Sequence, residues 1–572
     1  MASRLFPSLH LSLFFFFFYF LLPSPSLADG LPSSSKVPIT PYTACISTPF
    51  PNFCKSILSS HGDSNLRDYG LFSIKRSLKS ATKFSSLVDR YLKLQSSLPK
   101  TTVRALEDCH LLSRLNIDFL LSAATTLNLN STNGFLSIDT EDVQTLLSAI
   151  ITNQQTCLEG LQAAAASSVQ SGLYTPLFND TKLYRVSLAL FTRAFVHKKK
   201  KRGRVQPRRG RKLFSNMNFR RDGVLPLRIS GQNRKVFELR SGRRLLQSSL
   251  DNVLISDIVV VGQDGSANFT SIKDAVAAAP NNTDISDGYF LIFIAAGVYE
   301  EYVSIPKNNK NLMMIGDGIN QTIVTGNRSF VDGWTTFNSA TFAVVGEGFV
   351  AINMTFRNTA GAVKHQAVAV RNGADFSAFY SCSFEGYQDT LYTHSFRQFY
   401  KDSDIYGTID FIFGNAAVVF QNCNLYARLP LPSQINAFTA QGRTDPNQNT
   451  GISIQNCTVT AAPELASFNG TAKAYLGRPW KQFSRTVYLQ SFIDGLIDPT
   501  GWLPWDGDFA LSTLFYGEYG NMGSGSSTNN RVTWPGYHVL SAPDVSNFTV
   551  SNFIYGDFWL PATGVPFEGG LL

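Results

Sequence analysis

Two aspartates stand 21 residues apart in this chain, Asp389 in Tyr387-Gln388-Asp389-Thr390-Leu391 and Asp410 in Thr408-Ile409-Asp410-Phe411-Ile412. Aromatic and branched apolar residues surround both. A carboxylate in such company is costly unless it is paired or used. Placed close together, two carboxyls do not ionise equally: one proton affinity rises, giving a general acid beside a nucleophile. Arg478, in Leu476-Gly477-Arg478-Pro479-Trp480, is the cation best suited to decide which of the two stays charged. Gln388 and Gln366 carry side-chain N–H groups able to hold an oxyanion. Trp480 offers a flat ring of the kind that stacks on sugar faces. The same two aspartates also fit a capped polar ladder, and the amides favour the catalytic reading. No G-x-S-x-G elbow occurs, so a serine nucleophile lacks its turn. The C-terminal region holds only His365, His394 and His538, with no metal-ligand spacing among them.

An element that could position such a pair is legible as a repeat. Its unit is apolar, polar, polar, Cys or Ser, any residue, apolar, and its marked positions are 354, 382, 403, 423, 457 and 491. A fixed strand register with variable intervals describes a solenoid with loops of different length on one face. Alternating β-branched and aromatic residues make it a parallel β-helix. Asp389 follows Cys382 by seven residues and Asp410 follows Ser403 by seven, so the spacing predicts carboxylates stacked on adjacent rungs. Rungs lie about 4.8 Å apart, within disulfide reach. The register therefore predicts a Cys423–Cys457 bond. Cys382 faces Ser403 and is expected to be free.

The rest of the chain divides by composition. Residues 40–195 read as a bundle of helices, with Leu111, Leu112, Leu115, Phe119 and Leu120, then Val143, Leu146, Leu147 and Ile150, at helical spacing. Cys45 and Cys54 can staple a helical hairpin, and Cys109 and Cys157 can cross-link two long helices; spacing alone does not fix these pairs. Residues 1–28 read as a leader, with Arg4, an apolar run from Leu11 to Leu22 and the small-residue end Ser26-Leu27-Ala28. The run is short for a membrane span, so no stable insertion is expected once the leader is cut. Ten N-x-S/T matches suit a secreted glycoprotein.

The net charge of +9 conceals an uneven distribution. Residues 197–246 carry 18 Lys/Arg against 2 acids, whereas 247–572 carry 16 against 27, a net of −11. The basic character belongs to a linker (196–246), and nothing reads as a nucleic-acid-binding face. Basic knots at Arg211-Lys212 and Arg243-Arg244-Leu245-Leu246 are candidate cleavage sites.

The residues carry a specific resemblance. The segments 297–301 (Gly-Val-Tyr-Glu-Glu), 366–369 (Gln-Ala-Val-Ala), 387–392 (Tyr-Gln-Asp-Thr-Leu-Tyr), 410–416 (Asp-Phe-Ile-Phe-Gly-Asn-Ala) and 476–480 (Leu-Gly-Arg-Pro-Trp) resemble, in order and spacing, the five signatures of plant pectin methylesterases. The likeness spans roughly 250–570. Residues 40–195, including Thr152-Asn153-Gln154-Gln155-Thr156-Cys157, resemble the pectin methylesterase inhibitor domain, and Arg243–Leu246 the processing site between the two units. The resemblance implies a four-helix bundle followed by a right-handed parallel β-helix, hydrolysing methyl esters of pectin in the extracellular cell wall, without metal or cofactor. It implies Asp410 as nucleophile, Asp389 as acid and base, Gln366 and Gln388 at the oxyanion, Arg478 holding Asp410 ionised, and Thr336 and Trp480 touching substrate. It also implies the pairs Cys45–Cys54 and Cys109–Cys157, a bundle that inhibits until a processing protease cuts the linker, and proteinaceous inhibitors as further partners. One departure is Ser403, where the family commonly has a cysteine bridging to the equivalent of Cys382. Two other readings use the same residues: a lyase or glycosidase on the same solenoid, revealed by unsaturated products or new reducing ends, and a binding protein with an inert β-helix, revealed by an inactive 247–572 fragment.

The charge distribution yields a measurable expectation. At net −11 the 247–572 unit should be only weakly retained on immobilised polygalacturonate at low salt. Tight retention in a column assay would contradict it.

Overall fold

The structure is a computed structural model that describes residues 37–129, 137–163, 167–196, 227–228 and 253–572. The expected leader (1–28) and the basic knots at 211–212 and 243–246 lie outside the described residues. Four long helices form the N-terminal bundle. After the short α1 (Pro41–Cys45) and α2 (Pro51–Leu58) come α3 (Leu66–Leu92), α4 (Lys100–Leu129), α5 (Ser137–Ala163) and α6 (Ser167–Phe195). The Asn65 side chain accepts from the Asp68 N–H to start α3, whose last turn carries Arg90; both features complement the helix ends. Each long helix packs on two others, around Ile74, Leu120, Leu147, Leu188 and Phe191. Cys45–Cys54 joins α1 to α2, and Cys109–Cys157 joins α4 to α5. Of the apolar positions read as core, Leu111 is instead 39% exposed; Leu112 takes the inward place.

From Val253 onward the chain winds into three parallel sheets of twelve, seven and eight strands. Every pairing between rungs is parallel. Along one corner Ile352, Tyr380, Lys401, Gln421, Gln455 and Leu489 align in unbroken register. The repeat positions 354, 382, 403, 423, 457 and 491 each lie two residues further on. Between them sits a residue in left-handed conformation on every rung: Asn353, Ser381, Asp402, Asn422, Asn456 and Gln490, with φ between 49° and 57°. Asn and Asp tolerate this region better than most residues.

This corner explains the Cys/Ser register. The Ser403 hydroxyl accepts from the Cys382 N–H (3.1 Å) and donates to the Lys401 carbonyl (2.9 Å). Ser491 repeats the pattern with the Cys457 N–H and the Leu489 carbonyl, and the Cys457 sulfur does so with the Cys423 N–H and the Gln455 carbonyl. A small side chain with both a donor and an acceptor satisfies the backbone where the corner interrupts the ladder.

The same geometry corrects the expected Cys423–Cys457 bond: both are free, buried thiols, as is Cys382. Each thiol is instead engaged with carbonyls of its own rung and the rung before.

Inside the coil, rings stack from rung to rung: Phe379 on Tyr400 at 5.0 Å, and Tyr400 on Phe420 at 4.7 Å. Helices Val550–Phe553 and Gly556–Thr563 cover the outer face of the twelve-stranded sheet, burying Val550, Trp559 and Leu560. Part of the presumed linker is structural, because Leu227–Arg228 adds an edge strand beside Val253–Leu254. The principal cores of the β-helix contain no bundle residue, and the bundle has two cores of its own. One apolar cluster is shared: Leu106, Cys157 and Leu161 meet Phe337, Tyr392 and Phe413. The β-helix therefore encloses its own core without the bundle.

Thiol titration checks the corrected pairing. Denatured, unreduced protein should release three thiols, and the native protein essentially none because all three are buried. A single thiol in the denatured protein would restore the Cys423–Cys457 bond.

Candidate active site

The seven-stranded sheet carries the site on the loops that flank its strands. Leu391 pairs with Ile412, so Asp389 and Asp410, each two residues earlier, stand in register on neighbouring rungs. The Asp389 N–H bonds the Ile409 carbonyl at 3.1 Å. Both aspartates have left-handed backbone, φ 63° and 53°. This conformation is costly for a non-glycine residue and clusters at functional sites. It turns both side chains out of the coil into a cavity of about 480 Å³.

Thr336, Gln366, Gln388, Arg478 and Trp480 line the same cavity. Thr336 precedes the short turn Phe337–Ser339, while Arg478 and Trp480 follow strand Ala474–Gly477. All seven non-cysteine candidates from the sequence thus converge on one cleft. Its floor is the stacked pair Tyr392 and Phe413 (4.2 Å), with the Trp480 ring edge-on to both.

Electrostatics separates the two carboxyls. Arg478 grips Asp410 with two parallel bonds, Nε to Oδ1 at 2.8 Å and Nη2 to Oδ2 at 2.7 Å. Burial raises the Asp410 pKa, and the guanidinium opposes it. Burial also raises Asp389, well above the ordinary carboxylate value, and the neighbouring Asp410 charge pushes the same way. Arg478 reaches Asp389 only as a distant charge. The arrangement gives Asp389 the higher proton affinity of the two and favours charge on the Arg478-bound Asp410.

Several site residues went unread in the sequence. Trp505 lines the cavity and lies 4.5 Å over the Arg478 guanidinium; its pairing with the buried Trp502 in Gly501-Trp502-Leu503-Pro504-Trp505 was the available signal. Tyr392 and Phe413 belong to the motifs themselves, and their alternation with buried Leu391 and Ile412 marks their faces.

The bundle also reaches this cleft. Thr145, Ser148, Thr152 and Thr156 form a polar stripe along α5, opposite Val143, Leu147 and Ile150. Thr145 accepts from Asn449 (2.9 Å), the Ser148 carbonyl from Gln448 (3.0 Å), and Thr152 from Asn415 (2.9 Å), while Thr156 meets His394 Nε2 (3.0 Å). Asp142 pairs with Arg397, Glu159 with Lys481 and Arg185 with Asp445. Thr335 and Asn338 donate to the buried Asp108. Asp108, Thr156 and Glu159 form one wall of the catalytic cavity. Among the described residues no group of three or more His, Cys, Asp or Glu could hold a metal ion.

An aromatic-floored cleft across the rungs of a parallel β-helix, with its carboxyls on one side, defines a polysaccharide-acting enzyme. Comparison with known proteins specifies it. The family model described as Pectinesterase matches residues 258–557, and that of plant invertase/pectin methylesterase inhibitor matches 40–190. The chain is 57% identical over 560 residues to a probable pectinesterase/pectinesterase inhibitor 7 of Arabidopsis thaliana, covering 94% of this chain and 96% of that protein. It is 45% identical to pectinesterase 2 of Citrus sinensis, over 92% and 93%. The solved pectin methylesterase from carrot superimposes with a TM-score of 0.54 at 54% identity, over 55% of this chain and 98% of that one. The chain belongs to the pectinesterase family and carries an inhibitor-type unit at its N-terminal side.

Docking of the bundle should respond to pH. Burial pushes Asp108 from its ordinary 3.8 up to about 7, against the Thr335 hydrogen bond and the Arg371 charge. A carboxyl with a higher pKa docked than free contributes fully below its free value, and that contribution is lost as pH rises through about 7. His394 acts oppositely: burial lowers it from 6.5 to about 3, so its share is lost as pH falls below 6.5. With the linker cut, affinity between the two units should show an alkaline limb that Asp108→Asn flattens. An unchanged slope between about pH 5 and 7.5 in that variant would reject the assignment.

Proposed function

We propose that the chain is a secreted proenzyme whose released β-helix demethylates homogalacturonan in the cell wall through an aspartyl acyl-enzyme. The bidentate Arg478–Asp410 pair beside a proton-bearing Asp389 carries this reading. The Asp410 carboxylate attacks the ester carbonyl of a methyl galacturonate. The Gln366 and Gln388 side-chain N–H groups hold the oxyanion of the tetrahedral intermediate. Asp389 gives its proton to the methoxy oxygen and methanol leaves, with an anhydride linking substrate to Asp410. Asp389, now ionised, takes a proton from water, which attacks the same carbonyl carbon. Collapse breaks the anhydride C–O bond, returns Asp410 as carboxylate and frees the galacturonic acid, which loses its proton to solvent; Asp389 keeps the proton it took from water and is ready for the next cycle. Thr336 contacts substrate, and Trp480 and Trp505 form the cleft rim against which sugar faces pack.

The bundle supports an inhibitory reading in cis, because its Asp108, Thr156 and Glu159 stand where a polymer has to lie. Cleavage at Arg243–Leu246 by a processing protease would release it, and separate inhibitor proteins of the same class would use the same cleft face. Secretion rests on the leader-like start. No described helix is long and apolar enough to cross a membrane.

Methanol release from methylated pectin tests the proposal. The cleaved enzyme should be active and the intact chain largely silent. Asp410→Ala in the cleaved form should lose about 10³-fold or more in kcat, without unsaturated products or new reducing ends appearing in any form. Substantial activity in Asp410→Ala would overturn the mechanism.

A further inference from the structure

The bundle carries a charged surface that neither the chemistry nor the docking uses. On α3, Lys75, Arg76, Lys79, Lys83 and Arg90 are followed by Lys93 at the C-cap, and all six are exposed. At about 100° per residue they fall in one sector about 100° wide. The opposite side of the helix holds the core residues Ile74, Ala81, Phe84 and Val88. From Lys75 to Lys93 the stripe runs about 27 Å. α3 and α5 each pack against both α4 and α6, so they stand at opposite corners of the bundle. α5 faces the β-helix, and the stripe therefore faces away from it.

A helix surface usually interleaves signs, as α4 does with Arg104 and Asp108, then Arg114 and Asp118, each pair four apart. Between Asp68 and Asp89, α3 has no acid. Those two acids are engaged at its ends, Asp68 with Ser64 and Asn65 at the helix start and Asp89 with His110. Among the described residues no carboxylate forms an ion pair with any of the six cations. Lys75, Lys79 and Lys83 follow one another at intervals of four, where like charges destabilise a helix. A polyanion laid along the stripe removes that repulsion.

We propose that the α3 stripe is a docking surface for unesterified homogalacturonan, holding the intact chain on the polymer that its β-helix produces. The inference rests on the pectin reading above and concerns the bundle, not the cleft. Unesterified homogalacturonan is a linear polymer with a carboxylate on every sugar, so it matches a straight row of cations in sign and shape. Arg76 and Arg90 can take a carboxylate through two parallel bonds, and the lysines pair with it as point charges. A lipid surface fits less well. A helix lying on a membrane needs its apolar side free, and that side of α3 is packed in the bundle cores. The 247–572 unit, at net −11, is repelled by the same polymer. The intact chain thus joins an attracting bundle to a repelled catalytic unit. After the proposed cleavage the bundle stays on demethylated polymer, and the β-helix moves off toward methylated stretches.

Binding of the full chain to polygalacturonate at low salt tests the surface without turnover. Lys75→Gln, Lys79→Gln, Lys83→Gln and Arg90→Gln together alter only exposed side chains and keep good helix formers. This fourfold variant should bind polygalacturonate about tenfold more weakly than wild type. The basic linker adds binding of its own, so carbodiimide coupling supplies the location: polymer carboxylates should form amides with Lys75, Lys79 or Lys83 of the wild-type chain, read by peptide mass spectrometry. Affinity within about twofold of wild type in the fourfold variant, or coupling confined to linker lysines, would overturn the docking surface. Stripe-dependent binding to phosphatidylserine vesicles that is tighter than to polygalacturonate would overturn it in favour of a lipid surface. Methanol release by the cleaved fourfold variant should equal that of wild type, because the stripe touches no cleft residue. A wild-type chain that binds polygalacturonate through α3 yet releases no methanol after cleavage would overturn the esterase reading and leave the docking surface standing.

Discussion

Parallel pairing of Leu391 with Ile412 fixes most of what this site can do. A strand that follows its neighbour residue for residue places equivalent side chains one rung apart and aims them the same way. Two aspartates at equivalent positions are then forced into mutual repulsion by the backbone ladder. The left-handed conformation at each turns both outward together. Only one carboxyl can be neutralised by a planar cation gripping it from the side, and Arg478 grips Asp410. The asymmetry between the two follows from one bidentate contact laid over a symmetric scaffold.

The scaffold is held by the same economy. A left-handed corner recurs on each rung and interrupts the ladder at the next N–H. A buried thiol or hydroxyl repairs it at successive rungs, accepting from one rung and donating within its own, and the Asn521 amide oxygen does so for the Ser491 N–H. Stacked rings fill the space between corners. Loops of any length can leave the other side without disturbing this register, and the catalytic and substrate-facing residues sit on such loops.

The sequence disclosed the register because the corner demands small, bifunctional side chains, and these stand out among aromatics. It disclosed the aspartate pair for the same reason, as charges at one phase of an apolar repeat. The Cys423–Cys457 bond failed because spacing along the coil carries distance only: it does not tell a bridging sulfur from one engaged with the backbone of its own and the neighbouring rungs. Trp505 escaped because it sits on a further rung joined to Ala474–Gly477 only by the isolated parallel bridges Ala474–Ile497 and Gly477–Trp502, a rung that carries none of the repeat's Cys or Ser marks. The α5 stripe escaped because Thr and Ser at helical spacing look like a solvated face until a partner is seen against them. Leu111 and Leu112, adjacent in sequence, show the limit of periodicity at helix edges: both fit the stripe and one packs.

The contacts between bundle and β-helix are mostly hydrogen bonds and ion pairs around one shared apolar cluster. Such a surface does not need high intrinsic affinity while the two units share a chain. Covalent linkage makes their association intramolecular, which keeps a modest contact closed. Cutting the tether leaves every one of those bonds intact and changes only what they compete against. On the proposed cleavage, retention of the bundle would depend on how dilute its surroundings are, and dilution more than the cut itself would set the enzyme free.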